Sequence, residues 1–298
     1  MRDLKLGLIG DNIARSQAPR LHRLAGALCG IDVTYDRLIP RDMELDFDAV
    51  FERCANERYR GVNITYPYKE KAAAKVAIED PLVRAIAAVN TVVFEPAGPS
   101  GFNTDYSGFI AAYRGAFGQT RPGPVCMVGA GGVGKAIAFG LVALGVEDLR
   151  IVERDLAKAQ ALAEALRAAR PKIHMAVADS PDTAVAGARG LINCTPIGMV
   201  GYEGTPIEKD LMEGAGWAFD AVYTPVDTQF LRDAEAMGLT VLSGYELFFY
   251  QGVDAFRIFS GQDVDQPMLR SELQRETAIG AAEPGPAPDA PKTRLRDH

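Results

Sequence analysis

The run Gly129-Ala130-Gly131-Gly132-Val133-Gly134 admits few structural settings. It directly follows the apolar stretch Val125-Cys126-Met127-Val128 and opens into residues 135–144, which read as a helix. Strand, GxGxxG and helix in that order mark a parallel α/β unit. The glycines let backbone amides approach a pyrophosphate, and the aligned peptide dipoles at the helix N-terminus favour negative charge. A second strand, residues 149–152, ends in the acid Glu153 at the spacing of a ribose-binding carboxylate. The same glycines also satisfy GxxxxGK, most of a triphosphate-binding loop. Ala136, however, stands where a magnesium-holding Ser or Thr is required, so that reading is discarded. Gly129, Ala130, Gly131, Gly132, Val133 and Gly134 are therefore the candidate dinucleotide-binding residues. A carboxylate at Glu153 accepts hydrogen bonds from ribose hydroxyls and repels a 2′-phosphate, which favours NAD, with NADP as the alternative. Arg154 beside it either pairs with a phosphate or is a surface arginine of the helix over residues 156–169.

At 298 residues the chain exceeds the size at which a single core usually keeps growing, so two domains are expected. A net charge of −7 and a pI near 5.2 argue against a nucleic-acid surface. Apolar runs such as residues 136–146 are too short and too interrupted by glycine to span a membrane. The N-terminus lacks the apolar region of a signal peptide, so a cytoplasmic protein is expected; the composition does not choose between a monomer and a homodimer. Four scattered cysteines without CxxC and three histidines predict buried reduced thiols and no metal site.

The region before the glycine loop also alternates strand and helix patterns. Residues 4–10 read as a strand, followed by a polar loop through Ser16 and a helix led by Pro19. Ser16 sits where open α/β sheets place ligands, although serine there also suits a plain helix cap. Residues 32–39 read as a strand, 43–56 as a helix and 61–65 as a strand that Pro67 helps terminate. Lys69 then opens a helical run that Asp80-Pro81 breaks. On its own this lysine reads as a solvated helix charge. Residues 83–89 suggest a short helix, 90–94 a strand, 95–100 a hairpin turn and 107–117 a helix. Beyond the glycine loop, strands are expected at 173–177, 191–195, 217–221 and 240–242. The loop Thr195-Pro196-Ile197-Gly198-Met199 and the turn from Val222 lie where a nicotinamide pocket would form. An aromatic-rich helix over 245–259 carries Gln251 and is expected to pack back on the first domain. Residues 280–298 are too rich in Pro, Gly and Ala to build a core and are expected to be disordered.

Five segments together resemble the shikimate dehydrogenase family, which includes quinate/shikimate dehydrogenases. They are Ser16-Gln17-Ala18-Pro19-Arg20-Leu21-His22, the NxTxPxK segment from Asn63 to Lys69, Ala88-Val89-Asn90-Thr91, Asn103-Thr104-Asp105, and Asn193-Cys194-Thr195-Pro196. The resemblance runs from Leu6 to about Leu273. It implies an N-terminal α/β substrate domain completed by returning C-terminal helices (1–106 and 244–279) and a Rossmann-type NAD(P)-binding domain between them (107–243). It also implies a catalytic pair, Lys69 and Asp105, with substrate hydroxyls held by Asn63, Thr65, Asn90 and Gln251. Ser16 and Tyr223 would meet the carboxylate of a small polyhydroxy acid, and Thr195, Pro196, Met199, Val222 and Gly244 would line the cofactor side. The implied chemistry is oxidation of a ring secondary alcohol, with a hydride passing to nicotinamide and a proton leaving the hydroxyl. A lysine takes that proton only when neutral, which desolvation favours and a nearby aspartate opposes.

Three positions depart from the family's pattern. Ala18 replaces the second serine of Ser-x-Ser-Pro. Loss of a hydrogen bond to a charged group, about 1.5–3 kcal/mol, weakens shikimate binding roughly ten- to a hundredfold unless something compensates. Alternatively, the smaller side chain makes room for the extra hydroxyl of quinate. Glu153-Arg154-Asp155 replaces the Asn-Arg-Thr common in NADP-selective members, and Gly244-Tyr245-Glu246-Leu247 replaces Gly-x-Gly-Met. The leading expectation is an NAD-preferring quinate or shikimate dehydrogenase. A biosynthetic NADP-dependent shikimate dehydrogenase and a non-catalytic ligand sensor are the alternatives.

Overall fold

A computed structural model describes residues 2–280. Its first half is built from β1 (Arg2–Ile9), α1 (Ala18–Leu28), β2 (Ile31–Leu38), α2 (Phe47–Asn56) and β3 (Gly61–Ile64), then α3 (Lys69–Ala73), α4 (Pro81–Ile86), β4 (Thr91–Glu95) and β5 (Gly98–Phe102). The five strands form one sheet in the order β2-β1-β3-β4-β5. β1 runs parallel to β2 and β3, whereas β4 and β5 add antiparallel to the edge. Both faces are covered. Leu4, Leu6 and Leu8 pack with α1 on one side, and Ile9, Val62 and Val92 pack with α2 on the other.

The second half contains α5 (Thr104–Phe117), β6 (Val125–Val128), α6 (Gly132–Ala143), β7 (Asp148–Val152), α7 (Leu156–Ala169), β8 (His174–Ala178) and α8 (Pro181–Ala184). β9 (Gly190–Asn193), β10 (Trp217–Asp220), α9 (Gln229–Ala236) and β11 (Thr240–Leu242) complete its sheet, and α10 (Gly244–Ser260) and α11 (Gln266–Gly280) follow. The six strands are all parallel in the order β11-β10-β9-β6-β7-β8. Strand order reverses at β6, between β7 and β9, and the glycine loop opens at that point, where doubly wound sheets place nucleotides. The apolar runs of these strands fit a sheet buried on both faces.

α10 returns to the first sheet as expected, with Phe248, Phe249, Phe256 and Phe259 in its core. It also crosses α5 closely, because a Cβ on Gly108 would lie 2.7 Å from the Gln251 backbone nitrogen. α5 in turn contributes Phe109, Ala112 and Tyr113 to the core of the second sheet. This helix therefore joins the two halves.

Several boundaries differ from the sequence reading. The helix expected over 43–56 begins only at Phe47, because the Asp46 side chain accepts from the Ala49 amide and fixes the cap there. The helix after Lys69 ends at Ala73. Ala77 instead bridges to Ser100: its amide donates to the Pro99 carbonyl at 2.9 Å, and the Gly101 amide donates to the Ala77 carbonyl at 2.8 Å. Asp80-Pro81 opens α4, with the Asp80 carboxylate accepting from the Leu82 amide. The helix expected from residue 107 begins at Thr104, so Asp105 lies in the first turn of α5, which Asn103 caps through the Tyr106 amide. The expected disorder of residues 280–298 falls, Gly280 apart, outside the described residues. Among the described residues no helix is long and apolar enough to cross a membrane.

Candidate active site

The carboxyl ends of β1, β3 and β10 and the starts of α5, α6 and α10 surround a cavity of about 470 Å³. Ser16, Ala18, Asn63, Thr65, Lys69, Asn90, Asp105, Tyr223 and Gln251 all line it. Of the expected cofactor residues, Val133, Met199 and Gly244 reach the same cavity, so the glycine loop and the polar wall share one space. Ala130, Glu153, Arg154, Thr195, Pro196 and Val222 do not line it.

Lys69 Nζ donates to Asp105 Oδ2 at 2.5 Å, and both side chains are largely buried. The pair arises because Lys69 begins α3 just beyond β3, while Asp105 occupies the first turn of α5. A carboxylate in a first turn is stabilised by the helix dipole. Backbone bonds hold the segments in register. The Val89 amide donates to the Lys69 carbonyl at 3.0 Å, the Ile64 amide to the Asn90 carbonyl at 2.8 Å, and Asn103 Nδ2 to the Ala88 carbonyl at 2.9 Å.

The two asparagines are used differently. Asn90 Oδ1 accepts from the Thr104 amide at 2.7 Å and from the Thr104 and Thr91 hydroxyls. A backbone N–H can only donate, which fixes the amide's orientation and leaves Asn90 Nδ2 for the cavity. Asn63 is engaged by the protein itself. Its Nδ2 donates to Thr91 Oγ1 at 3.0 Å and to the Asn90 carbonyl, and its Oδ1 accepts from the Tyr35 hydroxyl at 2.9 Å. Behind it His22 is fully buried and stacked on Tyr35, with ring centroids 5.0 Å apart. Desolvation, only partly opposed by a hydrogen bond with Asn63, pushes the His22 pKa down to about 3, so the ring is neutral. Gln251 Oε1 lies 3.4 Å from the Thr104 hydroxyl oxygen. Ser16 Oγ accepts from the Ala18 amide at 3.2 Å, which leaves its proton for a ligand.

On the nucleotide side the site is made of backbone. A Cβ on Gly134 would stand 2.3 Å from the Gly129 carbonyl oxygen, so only glycine permits this loop. No side chain caps α6, and its first amides have no acceptor within the helix. The loop therefore fits a dinucleotide's phosphates. Glu153 Oε2 accepts from the Ala130 amide at 2.9 Å, and Oε1 from the Asp155 amide at 3.3 Å. Burial raises its pKa, but these amides and nearby Lys158 outweigh that term, and the net shift is downward. Glu153 is thus held as a carboxylate at the end of β7. Lys135, next to the loop, pairs with Glu70, next to Lys69, at 2.5 Å, tying the two halves together across the cleft.

Sequence reasoning missed three groups. Asp220 ends β10 and accepts from Asn193 Nδ2 (2.9 Å), the Val222 amide (2.9 Å) and the Thr228 hydroxyl (2.6 Å), so it shapes both loops on the cofactor side. Burial raises its pKa to about 6 despite those bonds. Its place at a strand's carboxyl end was the available signal. Asn12 and Arg15 also line the cavity, from the polar loop whose Ser16 alone had been singled out. Thr195 spends its hydroxyl on Asn193 Oδ1 at 2.7 Å, so it supports its loop and does not face the cavity. Glu246, at one of the departures from the family's pattern, points to α11, where Arg270 donates to both its oxygens at 2.7 and 2.9 Å. Leu247 fills the wall beside it.

Residues 8–92 match the family described as the shikimate dehydrogenase substrate binding domain, and residues 114–183 match shikimate / quinate 5-dehydrogenase. A quinate/shikimate dehydrogenase (NAD(+)) of Corynebacterium efficiens is 36% identical, over 89% of this chain and 96% of its own. A shikimate dehydrogenase (NADP(+)) of Pseudarthrobacter chlorophenolicus is likewise 36% identical, over 90% and 93%. Among solved structures, the quinate dehydrogenase of Corynebacterium glutamicum in complex with NAD superposes with a TM-score of 0.85 at 32% identity, covering 92% of this chain and all of that one. The chain belongs to the shikimate dehydrogenase family.

Proposed function

We propose that this protein oxidises the ring secondary alcohol of quinate or shikimate, with NAD as the preferred dinucleotide. The observation that carries the reading is the Lys69–Asp105 pair in a cavity that also holds Asn90, Gln251 and Ser16 and reaches the glycine loop at Val133. The bound nicotinamide supplies the hydride acceptor.

The residues of the chain do the rest. Asn90 Nδ2 and the Gln251 amide orient ring hydroxyls, and Ser16 donates to the carboxylate. The Lys69–Asp105 pair holds the reacting hydroxyl and takes its proton as the carbonyl forms, then returns that proton in the reverse direction. Positioned acid–base groups of this kind contribute about 10²- to 10⁴-fold to a rate. Leu8, Ile13, Ile64, Leu247 and Phe248, all apolar, are among the residues that line the cavity.

The preference for NAD rests on Glu153, whose carboxylate the Ala130 and Asp155 amides hold just beyond β7, and a carboxylate at such a strand end accepts from ribose hydroxyls and repels a 2′-phosphate. Initial rates with quinate and shikimate, each with NAD and NADP, test both parts. Turnover of at least one acid, with kcat/KM at least about tenfold higher for NAD, is expected from the repulsion of one fixed charge. No turnover of either acid with either dinucleotide would remove the reading. A strong NADP preference would remove the role given to Glu153.

A further inference from the structure

Three ionisable groups other than tyrosine line the cavity: Arg15, Lys69 and Asp105. Lys69 and Asp105 cancel one another at 2.5 Å. Arg15 has no carboxylate partner among the described residues and leaves the cavity with one uncompensated positive charge. Its loop is a fixed platform. The Ser16 amide donates to the Ile13 carbonyl at 3.0 Å, Arg37 donates to the Ser16 carbonyl at 2.8 Å, and the Asp11 amide donates to the Tyr66 carbonyl at 3.2 Å, while Ile13 is buried beneath. Beside Arg15 on the same loop stands Ala18, which offers no hydroxyl, and Ser16, which has one proton to give.

Resting on the functional reading above, we infer that Arg15 is the carboxylate anchor of this enzyme and makes it selective for monoanionic over neutral polyols. A guanidinium presents paired N–H donors that match a carboxylate's two oxygens, and a charge-assisted bond is about twice as strong as a neutral one. One such contact replaces the donor that Ala18 lacks. Because Arg15 is exposed at the mouth, solvent and salt weaken its effect, and its share is at the lower end of the range for a buried pair.

The test compares wild type, Arg15→Gln and Arg15→Lys on shikimate and quinate and on their uncharged methyl esters, with NAD saturating. For Arg15→Gln, KM for the acids rises about three- to fivefold with kcat within about twofold, since the contact exists in ground and transition states alike. KM for the esters stays within about twofold, and Arg15→Lys recovers part of the loss. Adding Ala18→Ser to Arg15→Gln restores acid binding in part by returning a hydroxyl donor. An unchanged acid KM, an equal rise for acid and ester, or a loss that appears in the KM for NAD would each overturn the assignment. Absence of wild-type turnover would remove the functional reading and this one together. Wild-type turnover with an acid-to-ester ratio that ignores Arg15 would remove this one alone.

Discussion

The nucleotide side of the cleft presents backbone to its ligand, and the substrate side presents side chains. On the first, the loop from Gly129 to Gly134 turns because Gly129 and Gly134 lack Cβ atoms, and the proposed preference for NAD rests on the single carboxylate of Glu153. On the second, Lys69, Asn90, Asp105 and Gln251 come from four separate segments; Lys69 and Asp105 aim one another, and Thr104 holds the Asn90 amide. A backbone site tolerates no added atom but needs little support. A side-chain site tolerates substitution around it yet depends on every contact that orients it.

Four experiments press on that difference. Lys69→Ala has the largest expected effect, a fall in kcat of about 10²- to 10⁴-fold with shikimate affinity changed far less. Single-turnover rates and equilibrium binding separate the two, and intact turnover would show that the pair is not the acid–base group. Gly134→Ala should strike the other side. Its methyl group must displace the Gly129 carbonyl, a strain of about 1–3 kcal/mol, so NAD affinity falls about ten- to a hundredfold in a fluorescence titration while shikimate affinity holds.

The third experiment uses pH, because the two sides titrate with opposite sign. His22, behind Asn63, is lowered from 6.5 to about 3, so the stability it confers is complete above pH 6.5 and is lost as pH falls toward 3. At pH 5 the loss is about 2 kcal/mol. Asp220, under the cofactor loops, is raised from 3.8 to about 6. Its contribution is complete below 3.8 and is lost as pH rises through 6, so at pH 5 it offsets about 1 kcal/mol. Denaturant midpoints at pH 7 and pH 5 should show His22→Gln with the smaller drop. An identical drop in wild type and variant would contradict the neutral buried ring. The smallest expected effect is that of Glu153→Ser, which removes one carboxylate and raises kcat/KM for NADP relative to NAD by about tenfold.

The parts legible in the sequence were those written in contiguous residues. The glycine loop between Val128 and Lys135 declared its strand, turn and helix, and β6, β7 and α7 follow the expected order closely. Lys69 and Asp105 were named through their motifs, but their contact depends on where α3 and α5 begin. Those starts are set by the short α3, the Asn103 cap, the backbone bonds that join residue 64 to 90 and residue 69 to 89, and the Asn103 side chain's bond to the Ala88 carbonyl. Arg15 and Asp220 belong to no pattern that spacing reveals. Each gains its position from a neighbouring strand, Arg15 above β1 and Asp220 at the end of β10.

By itself the sequence determined that the chain carries a parallel nucleotide-binding sheet and a strand-to-helix segment that ends in Lys69, because glycine conformation, helix periodicity and strand patterning are local properties of adjacent residues. Only the tertiary structure decided that Asn63 faces inward to Tyr35 while Asn90 keeps its amide for the cavity, that α10 crosses α5 at Gly108 to deliver Gln251, and that Arg15 is left as the one unpaired charge of the lining among the described residues. Hydrogen-bond partners and net charge in a cavity are sums over residues far apart in the chain, and packing alone brings them within reach of one another.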